Sequence, residues 1–348
     1  MSDVYLCVHC CAHVIIGKPL FSPLSPSPAH LTNMDTSELF DDRKSDVNAP
    51  PSYDAVPTSA LSTDYLQCRP PSIFSRQRIK QTRTTVLSLI RDMVSAPDFT
   101  PSSVVPIVDA CAASLPAAEF TNLLQTSNIE GHTALYWAIV NNRREALVAF
   151  FRFIPKYTST SYSDLRLACM ATSDHALFMN LKLYAVANNR DEPLKRSLGC
   201  PPDEIEVHGG NSQNQFTVDM QIRMFQKRLR IAQKMVVEFV AKGRIWFLLF
   251  DMGHEAKWHI KLCLCQHSLP ARPNAVLLIQ AQNGQHEVLK IGFPLEADKS
   301  LAPEEYITFY IRTCTSIDAT LGDWLMYNDT IYTDSDGTLH AKLEVTLP

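Results

Sequence analysis

Three places in this 348-residue sequence bring together side chains that could do chemistry. The first is Cys7-Val8-His9-Cys10-Cys11-Ala12-His13, five thiols and imidazoles within seven residues. Zinc takes four such ligands in a tetrahedron, usually from two spaced pairs, and no second pair lies near this one. The second is His254, His259, Cys263, Cys265 and His267. On a strand, His259, Cys263 and Cys265 would share the face opposite Trp258, Ile260 and Leu262. Such residues also line the outer face of ordinary sheets, so no metal is expected at either cluster. The third is Asp334-Ser335-Asp336-Gly337, an acidic turn of the kind that opens a calcium loop. With Gly337 as the sixth loop position, Tyr332 falls at the first and Leu343 at the twelfth, where carboxylates are required. A hairpin turn accounts for it.

The motifs that cradle phosphates, present a nucleophilic serine or hold a helical zinc pair are absent from the sequence. No catalytic residue and no cofactor are therefore expected, and the non-enzymatic reading leads. An enzyme with a site assembled only in three dimensions is the weaker alternative.

Two basic stretches, 76–91 and 223–230, could contact phosphates and would make the chain a nucleic-acid-associated regulator. Segment charges argue against it. Residues 76–187 carry 11 basic and 8 acidic side chains, and residues 188–348 carry 17 and 20. Both basic stretches are expected to be solvated faces.

The elements that must position these residues differ along the chain. Nine of the 22 prolines lie in the first 71 residues, which carry Pro/Ser/Thr/Asp character and little periodicity. Residues 1–75, with 4 basic and 8 acidic side chains, are expected to be a disordered tail. Met1–Leu20 has no basic residues ahead of its apolar part, so it is not read as a signal peptide. No run of about 18 apolar residues predicts a membrane span. The ten cysteines are scattered, several inside apolar patterns, as expected for reduced thiols of a cytoplasmic or nuclear protein.

From residue 76 the pattern is helical. Ile79, Val86, Leu87, Ile90, Met93 and Val94 recur at a period near 3.6, and Pro97 ends the run. Across 104–187 three apolar stretches share a shape. In the clearest, Leu135–Val140 and Ala146–Phe151 flank the polar turn 141–144, predicting a helical hairpin that must stack on neighbours. Leu165, Ala168, Ala176, Leu177 and Leu181 repeat it about thirty residues on, with Asp174 as a helix cap. Cys111, Leu123 and Leu124 echo it upstream.

Within the clearest stretch, Ile129–Ala138 resembles the core of an ankyrin repeat, Gly-x-Thr-Pro-Leu-His-x-Ala. Gly131, Thr133, Leu135 and Ala138 match; Ala134 and Tyr136 stand where Pro and His are usual. Gly suits the tight turn, Thr caps the first helix, and Ala lets paired helices approach. The resemblance implies a short stack of helical hairpins, binding an unidentified protein partner through finger tips and inner helices. It places Asn128, Glu130, His132, Tyr136 and Trp137 near that surface, with Trp137 equally open to a packed role.

Residues 191–215, rich in turn formers, are expected to be a linker between a helical module at 76–190 and an all-β domain at 216–348. After 216 the period switches to 2. Phe216–Met224, Trp258–Leu264 and Leu339–Leu347 alternate, and turn signals such as Asn283-Gly284 and Asp336-Gly337 separate the runs. The pattern predicts an antiparallel β-sandwich or barrel. The strand start Gly243-Arg244-Ile245-Trp246 and the closing Asp-Gly hairpin resemble meprin-and-TRAF-homology domains, from which no functional residues carry over. Residues 300–320 read equally as helix or strand.

Overall fold

The computed structural model describes residues 73–98, 104–184, 191–210, 212–252, 257–281, 288–293, 300–303, 317–322 and 330–348. The expectations for the tail and the Cys7–His13 cluster fall on 1–72, outside these residues, as do His254, Asn283-Gly284 and the undecided 304–316.

Helices come first. α1 runs over Ile73–Ser95, α2 over Val104–Ser114, α3 over Ala117–Gln125, α4 over Ala134–Val140, α5 over Arg144–Phe151, α6 over Ser159–Thr172 and α7 over His175–Asn180. Val86, Ile90, Met93 and Val94 are buried, while Ile79 is 44% exposed, so the apolar stripe of α1 begins later than its sequence period suggests. The end of α1 is held from a distance. Asn141 Nδ2 donates to Val94 O at 2.8 Å, and the Arg143 guanidinium donates to Ala96 O, a cation at the negative end of a helix. Thr133, Thr158 and Asp174 each cap a helix, accepting from the backbone N–H of Tyr136, Ser161 and Leu177.

Two short helices and nine strands follow among the described residues. α8 spans Asp191–Leu198, β1 Glu204–Gly209, β2 Gln215–Ile222, α9 Phe225–Ala232, β3 Lys234–Ala241, β4 Arg244–Met252 and β5 Trp258–Leu264. β6 spans Asn274–Gln280, β7 Val288–Phe293, β8 Ile317–Leu321 and β9 Leu339–Thr346. Among the described residues they form two antiparallel sheets, ordered β1-β2-β9-β6-β7 and β3-β4-β5-β8. The β3–β4 turn uses Lys242 (φ 51°) and Gly243 (φ 68°), the left-handed pair of a two-residue hairpin. Both sheets feed one core: Phe216 lies 5.6 Å from Trp246, and Leu277 and Leu343 are buried with them.

The region expected as a linker is ordered. Pro193 stands in the first turn of α8, where its missing N–H is not needed, and β1 pairs with β2 over its whole length. Turn-forming composition did not prevent structure because this segment neutralises a buried cation. Arg228, 1% exposed, uses all its donors. Nε and Nη2 grip the two oxygens of Asp191 at 2.9 and 2.6 Å, Nη1 and Nη2 reach Asp203 at 2.7 and 3.1 Å, and Nη1 also reaches Arg223 O at 2.8 Å. Lys195 Nζ adds a contact to Asp203 at 2.8 Å. Burial would raise the Asp203 carboxyl, but the two cations outweigh it and hold it below the usual range. The expectation of a solvated face over 223–230 therefore fails at Arg228.

The second face of β3 and β4 is also buried, which is why Ile245–Phe250 reads as an unbroken apolar run. Val240 and Ile245 join the core of the helices. Arg166 of α6 reaches Glu238 of β3 at 2.8 Å. His175, at the start of α7, accepts from Val240 N–H at Nδ1 (3.3 Å) and donates from Nε2 to Ile205 O (3.0 Å). No helix among the described residues is long and apolar enough to cross a membrane.

Replacing Arg228 by Ala leaves Asp191 and Asp203 buried with only Lys195 nearby. The expected loss is about 3–5 kcal/mol in urea denaturation, against under about 1 kcal/mol for an exposed pair such as Arg152–Asp109. Burial lowers the His175 pKa, only partly opposed by Ile205 O and Asp174. An unfolded chain then takes up the proton first, at about pH 6.5. Stability tied to His175 is complete above that pH and lost as the pH falls below it. The melting temperature of His175→Gln, which keeps an acceptor and a donor, is expected to fall less between pH 7 and pH 5 than that of the unaltered chain.

Candidate functional site

The five residues placed near a binding surface cluster at one turn. Ile129 and His132 form a bridge across it, with Glu130 (φ 50°) and Gly131 (φ 83°) left-handed at its tip. Gly carries the larger angle at no steric cost, while Glu130 is held there with its side chain exposed.

Behind the tip the side chains lock together. His132 stacks on Tyr136, with ring centroids 3.7 Å apart and planes 9° from parallel. Trp137 meets both rings edge-on, 5.3 Å from Tyr136 and 6.1 Å from His132. Its Nε1 donates to Ile129 O at 2.9 Å, so the indole is half-buried and cannot swing. Trp137 therefore has the packed role in part, with one side of its ring reaching solvent. Asn128 points inward: Nδ2 donates to Leu123 O at 2.9 Å. Its work is to close the end of α3, and Glu130, His132, Tyr136 and Trp137 make the outward surface.

Asp164, on α6, organises this surface and was not anticipated. Its carboxylate accepts from Thr133 N–H at 2.6 Å and lies 2.6 Å from His132 Nδ1, with its side chain only 7% exposed. Ser161, Asp164, Leu165, Ala168 and Cys169 form the buried face of α6. An acid within that 3.6-residue stripe was the signal available in the sequence. Burial, and then the Asp164 carboxylate, raise the Tyr136 hydroxyl above its ordinary pKa, so it remains a neutral donor.

The other chemical candidates have structural duties. Cys263 is buried. Cys265 lies 3.6 Å from Arg166 Nη2 and 3.7 Å from Glu238 Oε1, and burial followed by the Glu238 charge pushes its thiol well up. Burial likewise raises Cys111, Cys169 and Cys200. A protonated thiol is a poor nucleophile and a poor metal ligand. Among the described residues no group of three His, Cys, Asp or Glu side chains is placed to hold a metal ion. Asp334 Oδ1 accepts from Asp336 and Thr338 N–H at 2.9 and 2.8 Å, so that acidic turn satisfies its own backbone. Of the basic stretches, Arg228 is enclosed, Arg223 pairs with Glu204 at 2.7 Å and Arg83 lies 3.6 Å from Glu119. Compared with known proteins, the chain matches no family model and no curated protein.

Asp164→Ala removes the acceptor for a buried N–H and frees the His132 ring. It is expected to cost about 1–3 kcal/mol and to speed amide exchange at Thr133, measured on the full chain by mass spectrometry and urea denaturation.

Proposed function

We propose that this chain is a non-enzymatic interaction protein, a scaffold that recognises a protein partner through the turn at 129–132 and the first turn of α4. In this reading α2–α7 are a short ankyrin-like stack, and the two sheets are a sandwich packed against it. The observation that carries it is the half-exposed His132-Tyr136-Trp137 cluster, held rigid by Asp164 and Ile129 O beside an exposed acid. Binding energy concentrates on aromatic anchors that lose little freedom on association. The hairpin order α4–α5 and α6–α7, with Thr133 and Asp174 as caps, supports the repeat reading. Thiols held protonated by burial suit a reducing compartment, the cytoplasm or nucleus.

The test uses the full chain as bait in proximity labelling, beside a Tyr136→Ala/Glu130→Ala variant. Both positions are solvent-reaching, so the variant's melting temperature is expected within a few degrees of the original. A defined set of proteins should lose labelling tenfold or more. Identical labelling profiles with both baits would sink the reading. Nucleic-acid binding that weakens steeply between two salt concentrations would move the function to the basic stretches instead.

A further inference from the structure

A second surface runs along the outer edge of β1. The ladder phase shows which backbone groups face outward. Gly210 N–H donates to Gln215 O at 2.9 Å, and on the far side Leu347 N–H donates to Asn214 O at 2.8 Å. Bonding alternates along an antiparallel pair. Given the register Glu204↔Gln221 to Gly209↔Phe216, residues 204, 206 and 208 bond to β2. Ile205, Val207 and Gly209 therefore turn N–H and C=O away from it. His175 Nε2 takes the Ile205 carbonyl, which fits this phase. Among the described residues no group bonds to the outward backbone of Val207 or Gly209.

This edge forms one wall of an open groove of about 870 Å³. Ile139, Leu147 and Met179 supply apolar surface opposite Ile205 and Val207. Charge is uneven around it. Asp174 and Glu206 stand at the rim against Arg144, and Arg144 Nε is engaged with Asn142 Oδ1 at 3.3 Å. Glu206 also sits directly opposite Asp219 across the ladder, an unfavourable like-charge pair. His208 Nε2 lies between them, 3.7 Å from Glu206 and 3.2 Å from Asp219.

Exposed sheet edges are normally blunted by charged side chains, lysine above all, by proline or by a covering element; acidic side chains repel another acidic edge but not a basic strand. β1 carries glutamates at its exposed positions and a groove beside it. We propose that this edge binds an extended peptide by strand addition, and that the peptide alternates basic and small apolar side chains. The peptide backbone pairs with Val207 and Gly209. Its apolar side chains enter the groove, and its basic ones meet Glu206 and Asp219. This is a second docking site, independent of the 129–137 surface.

The probe is a capped hexapeptide of alternating lysine and valine, titrated into the full chain by calorimetry. Saturable binding is expected, with slowed amide exchange at Val207 and Gly209. Val207→Pro removes an outward N–H and some of the packing of Val207 on the core, and leaves the β2 ladder its bonds; it should weaken binding at least tenfold. Glu206→Lys, at a position whose side chain is 75% exposed, leaves folding intact and should weaken it to a similar degree, so it decides the matter even if the proline variant misfolds. No saturable binding, equal binding of a glutamate–valine hexapeptide, or unchanged affinity in a folded Glu206→Lys chain would each overturn the proposal.

Discussion

A charge enclosed in a protein interior must meet its opposite or the interior does not form. Among the described residues three buried charged side chains join segments far apart in sequence, two through opposite charges and Asp164 through a backbone N–H and an imidazole. Asp164 ties α6 to the turn before α4. Arg166 ties α6 to Glu238 of β3. Arg228 ties α9 to α8 and to the residue before β1. Ordinary apolar packing would tolerate small shifts between these elements. Bidentate and multiply bonded ion pairs do not, because a displaced partner leaves a bare charge.

The two proposed binding surfaces inherit that rigidity. The His132 and Tyr136 rings stack over a backbone whose Thr133 N–H is pinned by Asp164. The β1 edge is placed from both ends, by Asp203 against Arg228 and by Ile205 O against His175. Helices and sheets also share side chains in one core through Val240 and Ile245. They are packed parts of one unit from Ile79 onward.

Periodicity made most elements legible. Leu135 and Ala138, Leu165 and Ala168, and the alternating Leu339–Val345 are buried where their patterns put them. The caps at Thr133 and Asp174 and the turn at Asp336-Gly337 were readable too, because those signals act within a few residues. Segment 191–215 was misread for the same reason. Local turn formers argued for a linker, while the partner that orders it, Arg228, lies well downstream. α9 was hidden as well, its basic residues suggesting a solvated surface rather than a helix that buries Phe225, Arg228 and Leu229.

The sequence by itself therefore determined that a helical part precedes a strand-rich one, which faces are apolar in the periodic elements, and that Glu130, His132, Tyr136 and Trp137 gather at one turn. Those properties follow from spacing along a single segment. Only the tertiary structure decided that Asp164 organises the turn, that Trp137 is half-buried, that burial pushes up the Cys111, Cys169, Cys200 and Cys265 thiols, and that the edge of β1 stays open beside a groove. Each depends on what a side chain or a strand meets from another part of the chain. Spacing can mark a buried acid such as Asp164, but it does not name the partner that the acid meets in a distant segment.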